Sequence, residues 1–264
     1  MKRPKAAFSL AELLISLGLL GLLMALIFLT MRQGVSLTKN VSGAEAVALQ
    51  FKRIQRSLDQ DLAESLRYED DAVAVPPSLP GGGNESSAFW ILSPRDPSDG
   101  EVVQDETYGS AFAMRNVLYY AVVPRDHSSC RGSKNALGFE DACRHKCLIR
   151  KLIDSPPGTS VGSEEEEELL TPEAVLGSYL TRPWGRSLSA MTSEPGLEKA
   201  QLLATQLLSF EVLIQPDPTV TGEVQFLLRG FIEGEANRFQ RLGSESLSNS
   251  RYTLQYRFSI FPQN

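Results

Sequence analysis

The hydrophobic and polar positions of the chain begin with one long apolar segment. Residues 8–31 are twenty-four residues with a single charge, Glu12. As a helix at about 1.5 Å per residue they reach roughly 36 Å, enough to cross a hydrocarbon core of about 30 Å. Three basic residues precede the segment, and Arg32 follows it directly. This asymmetry predicts a single-pass inner-membrane anchor with a cytoplasmic N-terminus and an exported, periplasmic C-terminal domain.

A second helical pattern follows the apolar segment. Residues 32–43 are polar and contain two glycines, so we expect either a weak continuous helix or a local melt there. Beyond them, one apolar stripe repeats at intervals of three and four residues: Val47, Phe51, Ile54, Leu58 and Leu62. Such spacing predicts an amphipathic helix whose apolar side packs on a core. We therefore expect the helix to continue over 32–69 into the exported domain.

The remainder, 70–264, is predicted to be a β-rich domain. A loop rich in Pro and Gly fills 70–87. Apolar or alternating segments then predict six strands, at 88–92, 117–123, 148–153, 207–215, 223–232 and 251–261. Short helices are expected from Thr171 and over 197–208. A helix followed by a run of strands predicts an α+β fold, with the long helix packed on an antiparallel sheet.

The start of the apolar segment carries a recognisable motif. The chain reads Ala7, then Phe-Ser-Leu-Ala-Glu over 8–12, with the small residues before the apolar run rather than after it. An intramembrane carboxylate such as Glu12 costs about 2.5–3.5 kcal/mol on insertion scales, so it indicates a function. The arrangement resembles the class III signal of type IV pilins and pseudopilins. It departs from that pattern in one respect, because Ala7 stands where the family usually has Gly.

The resemblance implies a processing and assembly pathway. A prepilin peptidase would cut the leader, 1–7, between Ala7 and Phe8, and the new amino group of Phe8 would be methylated. Glu12 would then pair with the N-terminal ammonium of a neighbouring subunit, which makes two buried charges tolerable. The partners implied are the peptidase, other pilin or pseudopilin subunits and the inner membrane, and the fold implied is pilin-like.

Two further stretches resemble the J-type minor pseudopilins of type II secretion. One is the helical segment FKRIQRSLDQDLAESLR, and the other is the strand order after it, with YYAVVP, CLIRKLID and a late pair. A chain of 257 residues after processing is also large for a repeating subunit. We therefore expect a minor pseudopilin. A minor pilin of a type IV pilus is the first alternative, and a signal-anchored periplasmic binding protein or enzyme is the second.

Charge and composition narrow the possible partners. The net charge is −6, which argues against direct binding of nucleic acid. No catalytic motif is found, and carboxylate pairs such as Asp59 and Asp61 are interpreted as solvated, so we expect no enzyme and no cofactor. The five carboxylates of 164–168 are interpreted as a solvated acidic loop, with calcium binding as the alternative.

All the cysteines and both histidines fall in one window, 127–147. The residues are His127, Cys130, Cys143, His145 and Cys147. Export into an oxidising compartment favours a disulfide between Cys130 and either Cys143 or Cys147. Two alternatives stay open. One is a zinc site formed by His127 and the three cysteines, and the other is reduced or unpaired thiols.

Overall fold

The computed structural model describes most of the chain in eleven stretches. These are residues 9–68, 88–105, 109–126, 145–155, 157–160, 162–163, 165–170, 177–191, 193–214, 222–232 and 253–262. Within them, one long helix lies against one antiparallel sheet, so the α+β layout is confirmed.

A single helix, α1, runs from Leu10 to Ala63 over 54 residues. It begins with a capping box, in which Ser9 and Glu12 satisfy each other's backbone N–H groups. The helix continues without a break through 32–43, so of the two expectations for that segment the continuous helix is the one observed. At about 1.5 Å per residue, α1 is roughly 80 Å long.

The helix ends six residues earlier than the expected boundary at residue 69. Both the backbone N–H and the hydroxyl of Ser65 donate to the carbonyl of Leu62, which closes the last turn. The chain then becomes extended, and Arg67–Tyr68 pairs with the strand that contains Leu92. Pairing with the sheet edge therefore replaces the last helical turns that the local sequence would allow.

Within the described residues, seven strands form the sheet, and each pairs antiparallel with the next along the chain. They are β1 Arg67–Tyr68, β2 Ala88–Ser93, β3 Arg115–Val122, β4 Lys146–Ile153, β5 Leu197–Ile214, β6 Val224–Phe231 and β7 Thr253–Ile260. Between β4 and β5 lie a single helical turn, α2, at Gly177–Tyr179 and a 3-10 turn at Ser189–Met191. All six predicted strands are present, and β1 was missed because it is only two residues long.

The predicted helix over 197–208 is wrong, because these residues are the first part of β5. This strand has 18 residues, which is long because its two parts have different partners. The part from Leu197 to Leu207 pairs with β4, and the part from Leu207 to Ile214 pairs with β6. Hydrogen bonding to neighbours that are distant in sequence overrides the local helical propensity.

Helix α1 covers one face of the sheet. The apolar stripe predicted for the helix is buried there in full, with each side chain at most 2% exposed. At the centre, the ring of Phe226 packs on Phe89, Phe210 and Phe258 at centroid distances of 5.3–6.1 Å. The alternation predicted for the last strand is confirmed. Leu254, Tyr256, Phe258 and Ile260 point toward this core, whereas Gln255, Arg257 and Ser259 are exposed.

The opposite face of the sheet carries a second core. Trp90, Tyr120 and Ile149 point away from α1, and Leu170, Leu180 and Met191 from the β4–β5 connection cover them. The indole N–H of Trp90 donates to the carbonyl of Leu170 at 2.9 Å. Strands β2 and β3 are thus covered on both faces, which explains why residues 88–92 and 117–122 are continuously apolar.

Candidate functional site

The candidate site is helix α1 itself, because the side chains of its first half are not buried against the rest of the described chain. Large apolar side chains between Leu10 and Met31 are 44–79% exposed, and they lie on every side of the helix. The segment is long enough and apolar enough to cross a membrane. A helix that is apolar all round requires lipid or other helices around it.

Glu12 lies in the first turn of this exposed segment. Its carboxylate Oε2 accepts hydrogen bonds from the backbone N–H and from the hydroxyl of Ser9, each at 3.0 Å. The backbone N–H of Glu12 donates in return to the Ser9 hydroxyl at 3.3 Å. The acid is therefore turned back toward the N-terminus, at the positive end of the helix dipole. Ala7 and Phe8 lie outside the described residues.

The second half of α1 is fixed to the sheet by a buried polar cluster as well as by its apolar stripe. The carboxylate of Asp61 accepts from Arg150 on β4, at 2.6 Å from Nε and 2.8 Å from Nη2. It also accepts from the hydroxyl of Tyr119 on β3, whose oxygen lies 2.9 Å from Ser57 Oγ. Burial alone would lower the pKa of Arg150, but the hydrogen bonds and charge of Asp61 raise it above its usual range.

Further polar contacts hold the helix at several levels of the sheet. Gln50 Oε1 accepts from the backbone N–H of Thr205 at 3.0 Å, and Gln55 Oε1 accepts from the hydroxyl of Tyr256 at 2.5 Å. Beyond the helix end, Glu64 pairs with Arg95 at 2.6 Å. Because these contacts run from Gln50 to Glu64, just beyond the end of the helix, they fix the direction of the helix relative to the domain.

The interpretation of Asp61 as a solvated charge is wrong, although it holds for Asp59, which is exposed. Asp61 is only 7% exposed. A signal was present in the sequence, because Asp61 follows Leu58 by three positions and Ile54 by seven, and so falls on the buried stripe. Its partner Arg150 is two positions from both Leu148 and Leu152 in a strand, so it lies on the same, core-facing side of the sheet.

The cysteine and histidine window is only partly within the described residues. Cys147 lies on β4 as a buried free thiol, and burial raises its pKa to about 12. His145 and Cys147 line a cavity of about 250 Å³ near Asp126 and Gly185. His127, Cys130 and Cys143 lie outside the described part of the chain. Within that part, no group of three or more His, Cys, Asp or Glu side chains could hold a metal ion.

The interpretation of the five carboxylates of 164–168 as a solvated loop is wrong at one residue. Glu165, Glu166 and Glu168 are exposed as expected, but Glu167 is only 3% exposed. Its carboxylate accepts from Asn116 Nδ2 at 2.8 Å, Ser155 N at 2.6 Å and Thr159 Oγ1 at 3.1 Å. These hydrogen bonds hold the segment around Glu167 against β3 and the residues that follow β4, whereas the neighbouring glutamates face solvent. Glu164 lies outside the described residues.

Lys151 is a further buried charge that the sequence reasoning missed. The ammonium of Lys151 is fully buried on the face opposite α1, where it contacts Glu194 and the Tyr179 carbonyl at 2.5 Å each. Burial lowers the pKa of Lys151 to about 8, although Glu194 opposes the shift. Adjacent basic residues, Arg150 and Lys151, therefore serve opposite faces of the sheet, as strand alternation requires.

Comparison with known proteins adds no further constraint. The chain matches no protein-family model, no curated protein sequence and no solved structure.

Proposed function

We propose that this chain is a minor pseudopilin of a type II secretion-like system, a structural subunit that assembles through its N-terminal helix. The observation that carries the proposal is the division of one continuous helix. Its first half is exposed and apolar, and one face of its second half is buried against the sheet. The motif Ala7, Phe8 and Glu12 supplies the processing site and the acid that would become buried between the subunits of a filament.

The continuity of the helix favours an assembly subunit over a tethered domain. A domain that only needs to stay near a membrane is served by a flexible linker after its anchor. Here no linker intervenes, because α1 passes from the exposed segment to Val47 and Asp61 without a break. A stiff coupling of this kind transmits the position of the apolar half to the domain. That property supports ordered packing of subunits in a filament or at its tip, without catalytic chemistry.

The N-terminus of the protein purified from its own membranes tests the proposal. Intact mass and peptide sequencing are expected to find a chain that starts at N-methylated Phe8. A chain that still starts at Met1, in cells with an active prepilin peptidase, would instead support a signal-anchored binding protein or enzyme.

The role of Glu12 is tested separately from processing. Glu12→Ala is expected to leave the chain cleaved and folded but to reduce its incorporation into filaments or tip complexes, measured by co-purification with other pseudopilins. Glu45→Ala is the matched control, because Glu45 is an exposed acid on the same helix outside the apolar segment. Equal incorporation of both variants would contradict the assigned role. Loss of protein secretion in a deletion strain supports the secretion pseudopilus, whereas loss of surface pili supports the type IV pilus alternative.

A further inference from the structure

Residues 165–170 cover part of the second core, and we call them the covering segment. They lie along the start of β3, where the backbone N–H of Glu167 donates to the carbonyl of Ala113 at 3.0 Å. The side chain of Asn116 bonds to two backbone groups of the segment, at 2.8 and 3.1 Å, and the indole of Trp90 donates to a carbonyl at its end. The segment is therefore closed over the sheet by polar contacts, with a buried acid at its middle.

The carboxylate of Glu167 is placed so that it can take up a proton without losing a hydrogen bond. Its Oε1 accepts from two N–H groups, those of the Asn116 side chain and the Ser155 backbone, at 2.8 and 2.6 Å. Its Oε2 lies 3.1 Å from the hydroxyl oxygen of Thr159, and a hydroxyl can either donate or accept a hydrogen bond. Ionised Glu167 accepts from Thr159, and Glu167 protonated on Oε2 would donate to it.

The charges around Glu167 favour this proton. Two further carboxylates, those of Asp154 just after β4 and Glu198 at the start of β5, share the guanidinium of Arg115 with it. Arg115 lies 2.6 Å from Glu198 and 3.9 Å from Asp154, so its charge is largely neutralised before it acts on Glu167. Asp96, in the loop after β2, also interacts with Arg115. Carboxylates therefore exceed cations in this cluster, and a like charge nearby disfavours ionisation of a buried acid.

The remaining charged groups on this face do not compensate Glu167. Lys151, the buried cation of β4, pairs with Glu194 instead, at 2.5 Å. Exposed acids of the covering segment add only negative charge: Glu165, Glu166 and Glu168. The described part of the chain contains no group of three or more such side chains that could hold a metal ion, so the carboxylates do not converge on one point. Burial raises the pKa of Glu167 to about 7, and the charge of Asp154 adds to the shift.

We infer that the covering segment is a proton-operated latch, which protonated Glu167 holds closed over β3 and which opens locally when Glu167 loses its proton and becomes hydrated. The closed form binds the proton more tightly than the open form, in which the carboxyl is in water. Closing is therefore most favourable below the ordinary pKa of about 4.5 and weakens as the pH rises through about 7. Opening withdraws the segment from Trp90, so the surface of the domain opposite α1 changes with pH. This inference is independent of the proposed function.

Hydrogen–deuterium exchange of the full-length chain in detergent, read by mass spectrometry between pH 5 and pH 8, tests the latch. Dividing the intrinsic exchange rate at each pH by the observed rate gives a protection factor that reports the opening equilibrium. In the wild type, the protection of 165–170 is expected to fall at least about tenfold over this range. It is also expected to stay below the protection of residues 117–122 in β3 at every pH. Glu167→Gln, which mimics the protonated acid, is expected to keep the protection of 165–170 constant.

Two further variants separate the latch from a general effect of charge. Glu166→Gln removes an exposed acid of the same segment and is expected to behave like the wild type. Asp154→Asn removes a charge that raises the pKa of Glu167, so the fall in protection is expected at lower pH. The inference is overturned if the protection of 165–170 does not change with pH, or if Glu167→Gln retains the wild-type dependence. It is also overturned if 165–170 and 117–122 are equally protected throughout, because the segment would then open only when the whole domain unfolds.

Discussion

The carboxylate of Asp61 receives two hydrogen bonds from the guanidinium of Arg150, at 2.6 and 2.8 Å, across the interface between helix α1 and strand β4. Neither side chain has free access to water, so each charge depends on the other. The pair lies near the end of the helix, where the apolar stripe is finishing. It therefore fixes the rotation of the helix about its own axis and its position along the sheet, both of which the apolar contacts alone define less strictly.

Asp61→Ala is expected to destabilise the domain by about 3–5 kcal/mol, because it leaves the Arg150 charge buried without its partner. Urea unfolding of the detergent-solubilised chain, followed through the fluorescence of buried Trp90, measures the change. The control is Asp59→Ala, which removes an exposed acid from the same turn and is expected to change stability by less than about 0.5 kcal/mol. A similar effect of the two substitutions would show that the ion pair does not stabilise the interface.

Gly230→Ala is expected to destabilise the chain by about 1–3 kcal/mol through overpacking. A Cβ atom at this position would lie 2.4 Å from Val47 Cγ1 and 2.8 Å from Phe51 Cζ, so the helix would have to move away from β6. Adding Val47→Ala is expected to recover part of the loss, since it removes the nearest atom. If the double variant is less stable than the sum of the two single changes predicts, the steric explanation fails.

The buried acid Glu167 is expected to make stability depend on pH. Burial raises the pKa of Glu167 to about 7, although its hydrogen-bond donors oppose the shift. Since the folded pKa is above the unfolded value, the folded state binds the extra proton, and this contribution is lost as pH rises from about 4.5 through 7. Relative to Glu167→Gln, the wild type should lose up to about 3 kcal/mol between pH 4.5 and pH 8.

Unfolding of the wild type and of Glu167→Gln at matched pH values isolates this contribution from that of the other carboxylates. Glu166→Gln is the control, because Glu166 is exposed and its loss should leave the pH profile unchanged. Parallel profiles for the wild type and Glu167→Gln would contradict the assignment.

Cys147 is expected to resist alkylation in the native chain. At pH 8 a thiol whose pKa is about 12 is ionised roughly a thousandfold less than one at 9, and burial also limits access. Treatment with iodoacetamide before and after denaturation, followed by peptide mass spectrometry, should find Cys147 modified only after denaturation. Recovery of Cys147 in a peptide cross-linked to Cys130 would instead establish the predicted disulfide between these two cysteines.

The local sequence pattern was sufficient to predict the structure wherever the environment of a residue depends on its near neighbours in sequence. The exposed apolar half of α1 and the buried stripe from Val47 to Leu62 follow directly from helical spacing. The last strand likewise follows from alternation. These elements were predictable because lipid or a core selects one whole face of a regular element, and the face is visible as a period.

The features that the sequence did not predict depend on partners that are distant along the chain. Residues 197–207 have local helical propensity but become part of β5, because β4 offers a row of hydrogen-bonding groups beside them. Glu167 resembles a surface acid in sequence, and Asp61 differs from one only by lying on the apolar stripe. Their partners, Asn116 and Arg150, meet them only after the sheet has formed.

The sequence by itself therefore determined the division of the chain into an apolar helix, an amphipathic continuation and a β-rich domain. It also determined the motif around Ala7, Phe8 and Glu12. Only the tertiary structure decided which charges are buried and that the helix ends at Ala63. The physical reason is that burial and pairing of a charge depend on groups dozens of residues away, whereas periodicity is a local property.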